Sequence, residues 1–219
     1  MNETKLKPRM ATRFRSYLPI VVDIETAGFN AKTDAMLEFA AVIIKMDENG
    51  KLYRGATHSA HIEPFPGANL DQKSLEFTGI DPFHPFRMAK PEADALRAIF
   101  QPIRKSIKDQ GCTRAIMVAH NPAFDIAFLN AAIERNQIKR SPFHQFSSFD
   151  TATLGGLAYG QTVLAKVAKA AGMEWDSERA HSAVYDAEQT AELFCTIVNR
   201  WDKTNDSVHH EGPRFANEA

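Results

Sequence analysis

Four carboxylates and one histidine occupy short segments whose residue types and spacing are typical of a divalent-metal site. Asp23 and Glu25 alternate within a β-branched run, and Asp125 lies in a segment that begins with Asn-Pro. Further along the chain, His181 precedes Asp186 by five residues. Acids that share a pocket repel one another, and bound cations relieve that repulsion. Because carboxylate oxygens favour Mg²⁺ or Mn²⁺, the set predicts two such ions that promote hydrolysis of a phosphodiester.

Each of these segments also has an ordinary structural explanation. Asp23 and Glu25 could be exposed acids at a strand end that lies in solvent. Asp125 could be an acid that stabilises a helix N-terminus. His181 fits a surface or capping histidine, and Asp186 fits the solvated face of a helix. The metal-site hypothesis therefore requires that these remote segments converge in the fold.

Local geometry makes that requirement specific. Side chains alternate along a strand, so Asp23 and Glu25 project to the same side. On one continuous helix, five residues rotate a side chain by roughly 140°, so His181 and Asp186 would diverge. They converge only if His181 lies in the loop before the helix, with Ser182 as the N-cap.

The elements that must position these residues are predicted from hydrophobic periodicity and turn residues. Strands are predicted at residues 19–24, 37–46, 56–63 and 114–119, with a hairpin at Asn49-Gly50. Helices are predicted at residues 71–77, 91–108, 122–136, 163–171 and 183–201. Pro102 should kink or split the second helix, and Asn121 should cap the third. Residues 141–149 are predicted as a loop that precedes a helix N-cap at Asp150.

This order of elements predicts a single α/β domain over residues 1–201, with a mixed sheet flanked by helices. Residues 202–219 are polar with little periodicity and are predicted to form a flexible tail. The chain has 219 residues, of which 44% are hydrophobic, which is enough for a sizeable core.

Charge and cysteine content restrict the partners and the compartment. The formal net charge is -1, so any binding of nucleic acid depends on local basic clusters. Two cysteines, Cys112 and Cys195, do not form a disulfide framework and fit the reducing cytoplasm. No segment approaches the ~20 apolar residues of a membrane span, and the charged N-terminus does not fit a signal peptide. We therefore expect a cytoplasmic protein with no membrane partner.

The motifs Asp-x-Glu, His-Asn-x-x-x-Asp and His-x-x-x-x-Asp, in this order, resemble those of DnaQ-like exonucleases of the DEDD superfamily. A histidine five residues before the last Asp marks the DEDDh branch. Longer runs resemble the ribonuclease T family within that branch. These runs are residues 23–34, 67–70, 79–82, 114–121 and 160–164. The resemblance covers residues 19–201 and implies a ribonuclease H-like, DnaQ-like exonuclease fold.

The resemblance also implies roles for the five residues. Asp23, Glu25 and Asp186 would hold two Mg²⁺ per subunit, with Mn²⁺ as a substitute. Asp125 would complete the shell of one ion, directly or through water, and His181 would be the general base toward the attacking water.

The implied activity is 3′→5′ exoribonuclease trimming of single-stranded 3′ ends of structured RNAs. The implied substrates are tRNA, in 3′ end turnover and maturation, precursors of 5S and 23S rRNA, and other stable RNAs. Nucleoside 5′-monophosphates would be released, and single-stranded DNA would also be cut.

Aromatic residues beside these motifs suggest how a substrate could be held. In the resembling family, phenylalanines at the places of Phe29, Phe77, Phe124 and Phe146 wedge the terminal bases of a single-stranded 3′ end. Core packing is the ordinary alternative for each of them. Lys73 stands where the closest relatives are expected to carry an acid, which leaves the terminal-base preference open.

Basic residues fall into three groups along the chain. By resemblance, the groups form one patch away from the catalytic pocket, which holds RNA for the partner subunit of a homodimer. The alternative is that they only solvate helix faces. The groups are Arg9, Arg13 and Arg15; Lys105, Lys108 and Arg114; and Lys139 and Arg140.

Three other functions are compatible with parts of this pattern. A DNA-polymerase proofreading exonuclease would use the same chemistry, but the ribonuclease T-like runs do not favour it. An inactive RNA-binding module would be expected to lack at least one of the five residues, all of which are present. A hydrolase of short oligonucleotides would need no polymer substrate.

Overall fold

The computed structural model describes residues 9–205 and shows a five-stranded mixed sheet flanked by helices. The fold class predicted from the element order is confirmed. The strands are β1 (Tyr17–Thr26), β2 (Met36–Met46), β3 (Leu52–His61), β4 (Arg114–Ala119) and β5 (Phe143–Asp150). The helices are α1 (Gln72–Thr78), α2 (Glu92–Asp109), α3 (Pro122–Arg135), α4 (Thr151–Tyr159), α5 (Leu164–Ala170) and α6 (Ala183–Asn205).

The strand order β3-β2-β1-β4-β5 places β1 at the centre of the sheet. β1 pairs antiparallel with β2, and β2 pairs antiparallel with β3 through the predicted hairpin. β1 pairs parallel with β4, and β4 pairs parallel with β5. β2 pairs with β1 from Ile20 to Thr26, whereas β4 pairs with it only from Tyr17 to Val21. Asp23 and Glu25 are therefore held by β2 and lie just beyond the last pair with β4.

The core lies between the sheet and the long helices. Leu96, Ile99 and Phe100 form a buried stripe on α2, as helical periodicity predicts. On α6, Ala187 and Ala191 are fully buried in the same core as the strands. These small side chains allow the helix that bears Asp186 to approach the sheet closely.

The segment predicted as a loop at residues 141–149 is instead largely strand β5, so that prediction was wrong. The register between β4 and β5 jumps from Ala115↔Phe143 to Met117↔Ser148, which is a large bulge. Within the bulge, the His144 ring accepts hydrogen bonds from the N–H groups of Phe146 and Ser147. A bulge interrupts the alternation by which a strand is recognised in a sequence.

Two local predictions near α2 and α3 are met only in part. Pro102 does not split α2, which continues for 18 residues. Burial of the α2 stripe compensates for the backbone hydrogen bond that proline removes. Asn121 is the N-cap residue of α3, as predicted, but its side chain makes no capping hydrogen bond and its backbone is left-handed, with φ of 66°. Its N–H donates to Asp150 Oδ1 at 3.0 Å, so the turn before α3 is held from the next strand.

The C-terminal helix passes the predicted boundary of the tail. α6 ends at Asn205, whereas the tail was predicted to begin at residue 202. The remainder of that predicted tail, residues 206–219, lies outside the described residues. None of the helices within residues 9–205 has the length and apolar character that crossing a membrane requires.

Candidate active site

Three of the predicted metal ligands converge at one end of the sheet. Asp23 and Glu25 lie on β1, and Asp186 lies in the first turn of α6. One ligand oxygen from each of these carboxylates lies within 4.8 Å of the other two. Asp125, in the first turn of α3, is buried beside them, and its carboxylate accepts a hydrogen bond from the N–H of Ile24. The remote segments therefore meet as the metal-site hypothesis requires.

The cluster is electrostatically unfavourable when no cation is bound. Burial, and then repulsion from Asp186 and Glu38, raises the pKa of Glu25 to about 8. Burial, and then repulsion from Asp125 and Glu25, raises the pKa of Asp23 well above its ordinary value. Removal of the four carboxylates from water, together with their mutual repulsion, creates a site that favours either protons or cations.

Asp125 and Asp186 show that hydrogen bonds within the protein satisfy this site only in part. Burial raises the pKa of Asp125 to about 8, although two backbone N–H groups donate to its carboxylate. Burial also raises the pKa of Asp186, although the hydrogen bond from the N–H of His181 acts to lower it. Within the described residues, Asp186 Oδ1 is buried and has no hydrogen-bond partner. A buried anionic oxygen with no donor fits a cation ligand, so the donor set fits Mg²⁺ or Mn²⁺.

His181 lies in the loop before α6, which is the condition that the sequence analysis set. The N–H of Asp186 donates to the carbonyl of Ser182 at 2.9 Å, so the helix begins directly after that residue. The His181 backbone is left-handed, with φ of 67°. Its N–H donates to Asp186 Oδ2 at 3.1 Å, and its ring centroid lies 4.3 Å from that of Phe77. The histidine is therefore beside the acids and beside an aromatic side chain.

A cavity of about 690 Å³ opens next to the acidic cluster, with Glu25 in its lining. Three of the four selected phenylalanines, Phe29, Phe77 and Phe124, also line it. The side chain of Phe29 is 86% exposed and that of Phe77 is 67% exposed, so neither is a core residue. The Phe29 and Phe124 rings make an edge contact at 6.2 Å. Lys73 lines the same cavity, which places a cation among these rings.

The loop that carries Phe29 is held by Asp34, which the sequence analysis missed. The Asp34 carboxylate accepts hydrogen bonds from the Asn30 N–H at 3.0 Å and from Asn69 Nδ2 at 3.0 Å. Although burial opposes it, these bonds lower the pKa of Asp34. A Cβ on Gly28 would lie 1.9 Å from Asp34 Oδ2, so glycine permits the close approach. The recurrence of short polar residues around Gly28 was the available sequence signal.

Phe146 lies apart from this cavity. Its side chain is 85% exposed on β5, and its ring centroid lies 6.3 Å from that of His144. His144 belongs to the lining of a different cavity, together with Arg114 and Lys139. Within one chain, the structure therefore does not bring Phe146 together with the other three phenylalanines.

The basic residues lie toward the opposite end of β1 from the acids. Arg114 is opposite Tyr17, the first residue of β1, and the Arg15 guanidinium lies 5.5 Å from the centroid of the Tyr17 ring. A strand rises ~3.3 Å per residue, so Tyr17 and Asp23 are roughly 20 Å apart. The structure therefore separates Arg114 and Arg15 from the acidic cluster along β1.

The three basic groups are distributed over two neighbouring hollows and the surface between them. Arg114, Lys139 and Arg140 line one hollow. Arg9 and Lys108 line another. Two further basic side chains contact neighbouring residues. The Arg13 guanidinium lies 4.8 Å from the centroid of the Phe14 ring, and the Lys105 ammonium pairs with the Asp109 carboxylate at 2.5 Å.

A fifth acid, which was not among the predicted site residues, lies next to the cluster. Glu38 is opposite Glu25 in the β1–β2 register, and its side chain is only 14% exposed. Its charge contributes to the raised pKa of both Glu25 and Asp23. The sequence signal was an acid inside an otherwise apolar strand, which the hydrophobic pattern of β2 concealed.

Comparison with solved structures defines the class to which this fold belongs. The chain resembles exonuclease I of E. coli in complex with a dT13 oligonucleotide, with a TM-score of 0.66 and 19% identity over 87% of this chain. It spans 43% of the length of that protein. The architecture is therefore the ribonuclease H-like fold of the DnaQ-like exonucleases.

Comparison of sequences gives the family. The exonuclease family model RNase_T matches residues 20–194, and the chain belongs to this family. It is 61% identical to ribonuclease T of Hahella chejuensis over 92% of this chain and 93% of the relative. It is 64% identical to ribonuclease T of Vibrio campbellii over 86% of this chain and 89% of the relative. The resemblance inferred from the motifs is thereby confirmed.

Proposed function

We propose that this protein is a 3′→5′ exoribonuclease that trims the single-stranded 3′ ends of structured RNAs, such as precursors of tRNA and of 5S and 23S rRNA. The observation that carries the proposal is a buried acidic cluster that opens into a cavity lined by phenyl rings, with His181 beside both. Relatives with 58–64% identity that are named ribonuclease T support the same activity. The products would be nucleoside 5′-monophosphates.

Asp23, Glu25 and Asp186 would hold two Mg²⁺ per subunit, and Asp125 would complete the shell of one of them. Mn²⁺ would substitute, because it also accepts oxygen ligands. When bound, the ions supply activation of the attacking water and stabilisation of charge on the phosphate and on the leaving 3′ oxygen. The protein contributes a partly dehydrated cage in which that charge stabilisation is strong.

His181 would act as the general base that takes the proton from the attacking water. Its place before α6 puts the imidazole beside Asp186 without requiring both residues on one helix face. The hydrogen bond from its N–H and the contact with Phe77 restrict its position. A positioned general base typically contributes ~10²–10⁴ in rate.

The aromatic cavity would bind the terminal bases of an unpaired 3′ end. Stacking on exposed rings such as Phe29 and Phe77 is worth ~1–3 kcal/mol per base and tolerates every base. A frayed end can enter between the rings, whereas a stable duplex must first be unpaired. Because stacking needs no 2′ hydroxyl, single-stranded DNA would also be a substrate.

The separation of acids and basic residues supports action as a homodimer. Roughly 20 Å of strand lies between Asp23 and Tyr17, next to Arg114 and Arg15. A second subunit that presents its basic residues to this cavity would hold the body of the RNA while the end is trimmed. Gel filtration combined with activity measurements tests this arrangement, and a fully active monomer would contradict it.

The free cysteines support a cytoplasmic location. Cys112 and Cys195 are not paired with each other, and Cys195 is buried. Burial, and then repulsion from Glu192, raises the pKa of Cys195 to about 12, so its thiol is unreactive. A reducing compartment preserves both thiols.

A time course on 5′-labelled and 3′-labelled tRNA precursors with Mg²⁺ tests the activity. The 3′ label should be released at once as a mononucleotide, and the 5′-labelled RNA should shorten stepwise and stop at the duplex. Single-stranded DNA and a blunt hairpin serve as comparison substrates. Internal cleavage, or release only from a DNA primer terminus in a polymerase complex, would contradict the proposal, and restriction to oligonucleotides of a few residues would identify a short-oligonucleotide hydrolase.

A further inference from the structure

Glu38 connects three elements that meet at the candidate active site. Its Oε1 lies 3.0 Å from His61 Nδ1, and its Oε2 accepts the Ala183 N–H at 3.3 Å. His61 lies opposite Glu38 in the β2–β3 register, and Ala183 is the first residue of α6. One mostly buried carboxylate therefore ties the start of α6 to the edge of the sheet.

The start of α6 is the point at which the positions of His181 and Asp186 are set. His181 precedes Ala183 by two residues and adopts the left-handed backbone conformation, which is uncommon for a residue other than glycine. The hydrogen bond from the His181 N–H to Asp186 attaches this segment to its own helix, and the contact of its ring with Phe77 attaches it to α1. The bond from Ala183 to Glu38 attaches it to the strand that pairs with β1, which bears the other metal ligands.

We propose that Glu38, held by His61, is a positioning residue that fixes the His181 imidazole relative to the scissile phosphate. This inference rests on the proposed function, because it assigns the general-base role to His181. Loss of a supporting interaction of this kind typically lowers activity ~10–100-fold. The effect is expected on kcat, because Glu38 does not line the cavity that would bind the bases.

Two substitutions separate the geometry of Glu38 from its charge. Glu38→Gln keeps the length and both hydrogen bonds, since the amide oxygen accepts from Ala183 and the amide N–H donates to the other tautomer of His61. Glu38→Asp keeps the charge but is one methylene shorter, so it cannot reach both partners. At saturating Mg²⁺ and RNA, we expect kcat near wild type for Glu38→Gln and about 10–100-fold lower for Glu38→Asp, with KM changed less than about threefold.

A matched control shows whether any loosening of α6 has the same effect. Glu188 links α6 to β3 by accepting a hydrogen bond from Thr57 at 2.8 Å and pairing with Arg54 at 2.5 Å. Glu188→Asp shortens this link by the same methylene but should leave kcat unchanged. Melting temperatures of the variants in Mg²⁺ are measured alongside.

A double-substitution cycle shows through which residue Glu38 acts. If Glu38 acts only through His181, Glu38→Asp should cause no further loss of single-turnover rate in a His181→Ala background. A wild-type kcat in Glu38→Asp, an equal loss in Glu38→Gln, or multiplied losses in the double variant would overturn the proposal. Failure of the wild-type enzyme to release nucleotides would instead contradict the proposed function itself.

Discussion

Raising the pH of the metal-free protein from about 6 to about 8 should destabilise it, because the folded state holds protons on acids that the unfolded state has released. In the unfolded chain, Glu25 ionises with a pKa near 4.5, whereas in the folded protein its pKa is about 8. Asp125 changes in the same direction, from 3.8 to about 8. The stabilising effect of these retained protons is complete at low pH, declines between the two pKa values, and is lost above the folded-state value.

The magnitude follows from the number of protons that are retained. Each retained proton changes the free energy of unfolding by ~1.4 kcal/mol per pH unit. One retained proton over two pH units therefore gives about 3 kcal/mol. For a domain of this size, ~1 kcal/mol corresponds to ~2–4 °C, so the melting temperature should fall by about 6–12 °C.

Thermal unfolding in EDTA, followed across this pH range, measures the effect. Mg²⁺ should raise the melting temperature more at high pH than at low pH, because the ions compete with the protons for the same oxygens. The Glu25→Gln variant is the matched control, since its amide cannot ionise. In EDTA it should be more stable than wild type near pH 8 and should show a flatter pH dependence. A wild-type melting temperature that does not change with pH, or an identical slope in Glu25→Gln, would refute the reasoning.

Four further outcomes are expected. His181→Ala should retain the Mg²⁺-dependent rise in melting temperature but lose ~10²–10⁴ of the single-turnover rate, and near-normal turnover would remove His181 from the mechanism. Phe29→Ala should raise KM for single-stranded RNA and DNA ends about tenfold or more, with kcat little changed, because a stacked base is worth ~1–3 kcal/mol; an unchanged KM would mean that this ring contacts no base. Gly28→Ala should weaken the binding of the same ends and lower the free energy of unfolding by ~1–3 kcal/mol, because the new Cβ would lie 1.9 Å from Asp34 Oδ2. Calorimetry measures the loss of stability. Arg114→Gln should reduce the slope of log affinity against log salt by about 0.7 per lost phosphate contact, measured by fluorescence anisotropy on tRNA precursors; an unchanged slope would place that side chain away from the RNA.

Local sequence signals were sufficient to predict those elements that depend on the burial and turn preferences of neighbouring residues. The β-branched run before Asp23 gave a central strand, and Asn49-Gly50 gave the hairpin between β2 and β3. The helical geometry of His181 and Asp186 predicted that the histidine must precede α6, and the structure places it there. These inferences depend only on periodicities that a short segment carries by itself.

Features that depend on pairing between distant segments were not predictable in this way. The bulge in β5 is defined by its register with β4, and nothing within residues 143–150 reveals it. The role proposed for Glu38 depends on its position opposite Glu25 and on its contact with Ala183, which lies far away in the sequence. The left-handed turn at Asn121 likewise depends on Asp150, which belongs to a later strand.

The candidate ligands of the cations come from the first strand, a middle helix and the last helix of the described chain. A partly folded chain that lacks α6 therefore has only part of the cage and gains little from Mg²⁺. The ions would then contribute little to the rate of folding, but they would have to be released before the native protein opens. Magnesium would therefore mainly lower the unfolding rate. Its removal would shorten the lifetime of the native state more than it would slow refolding.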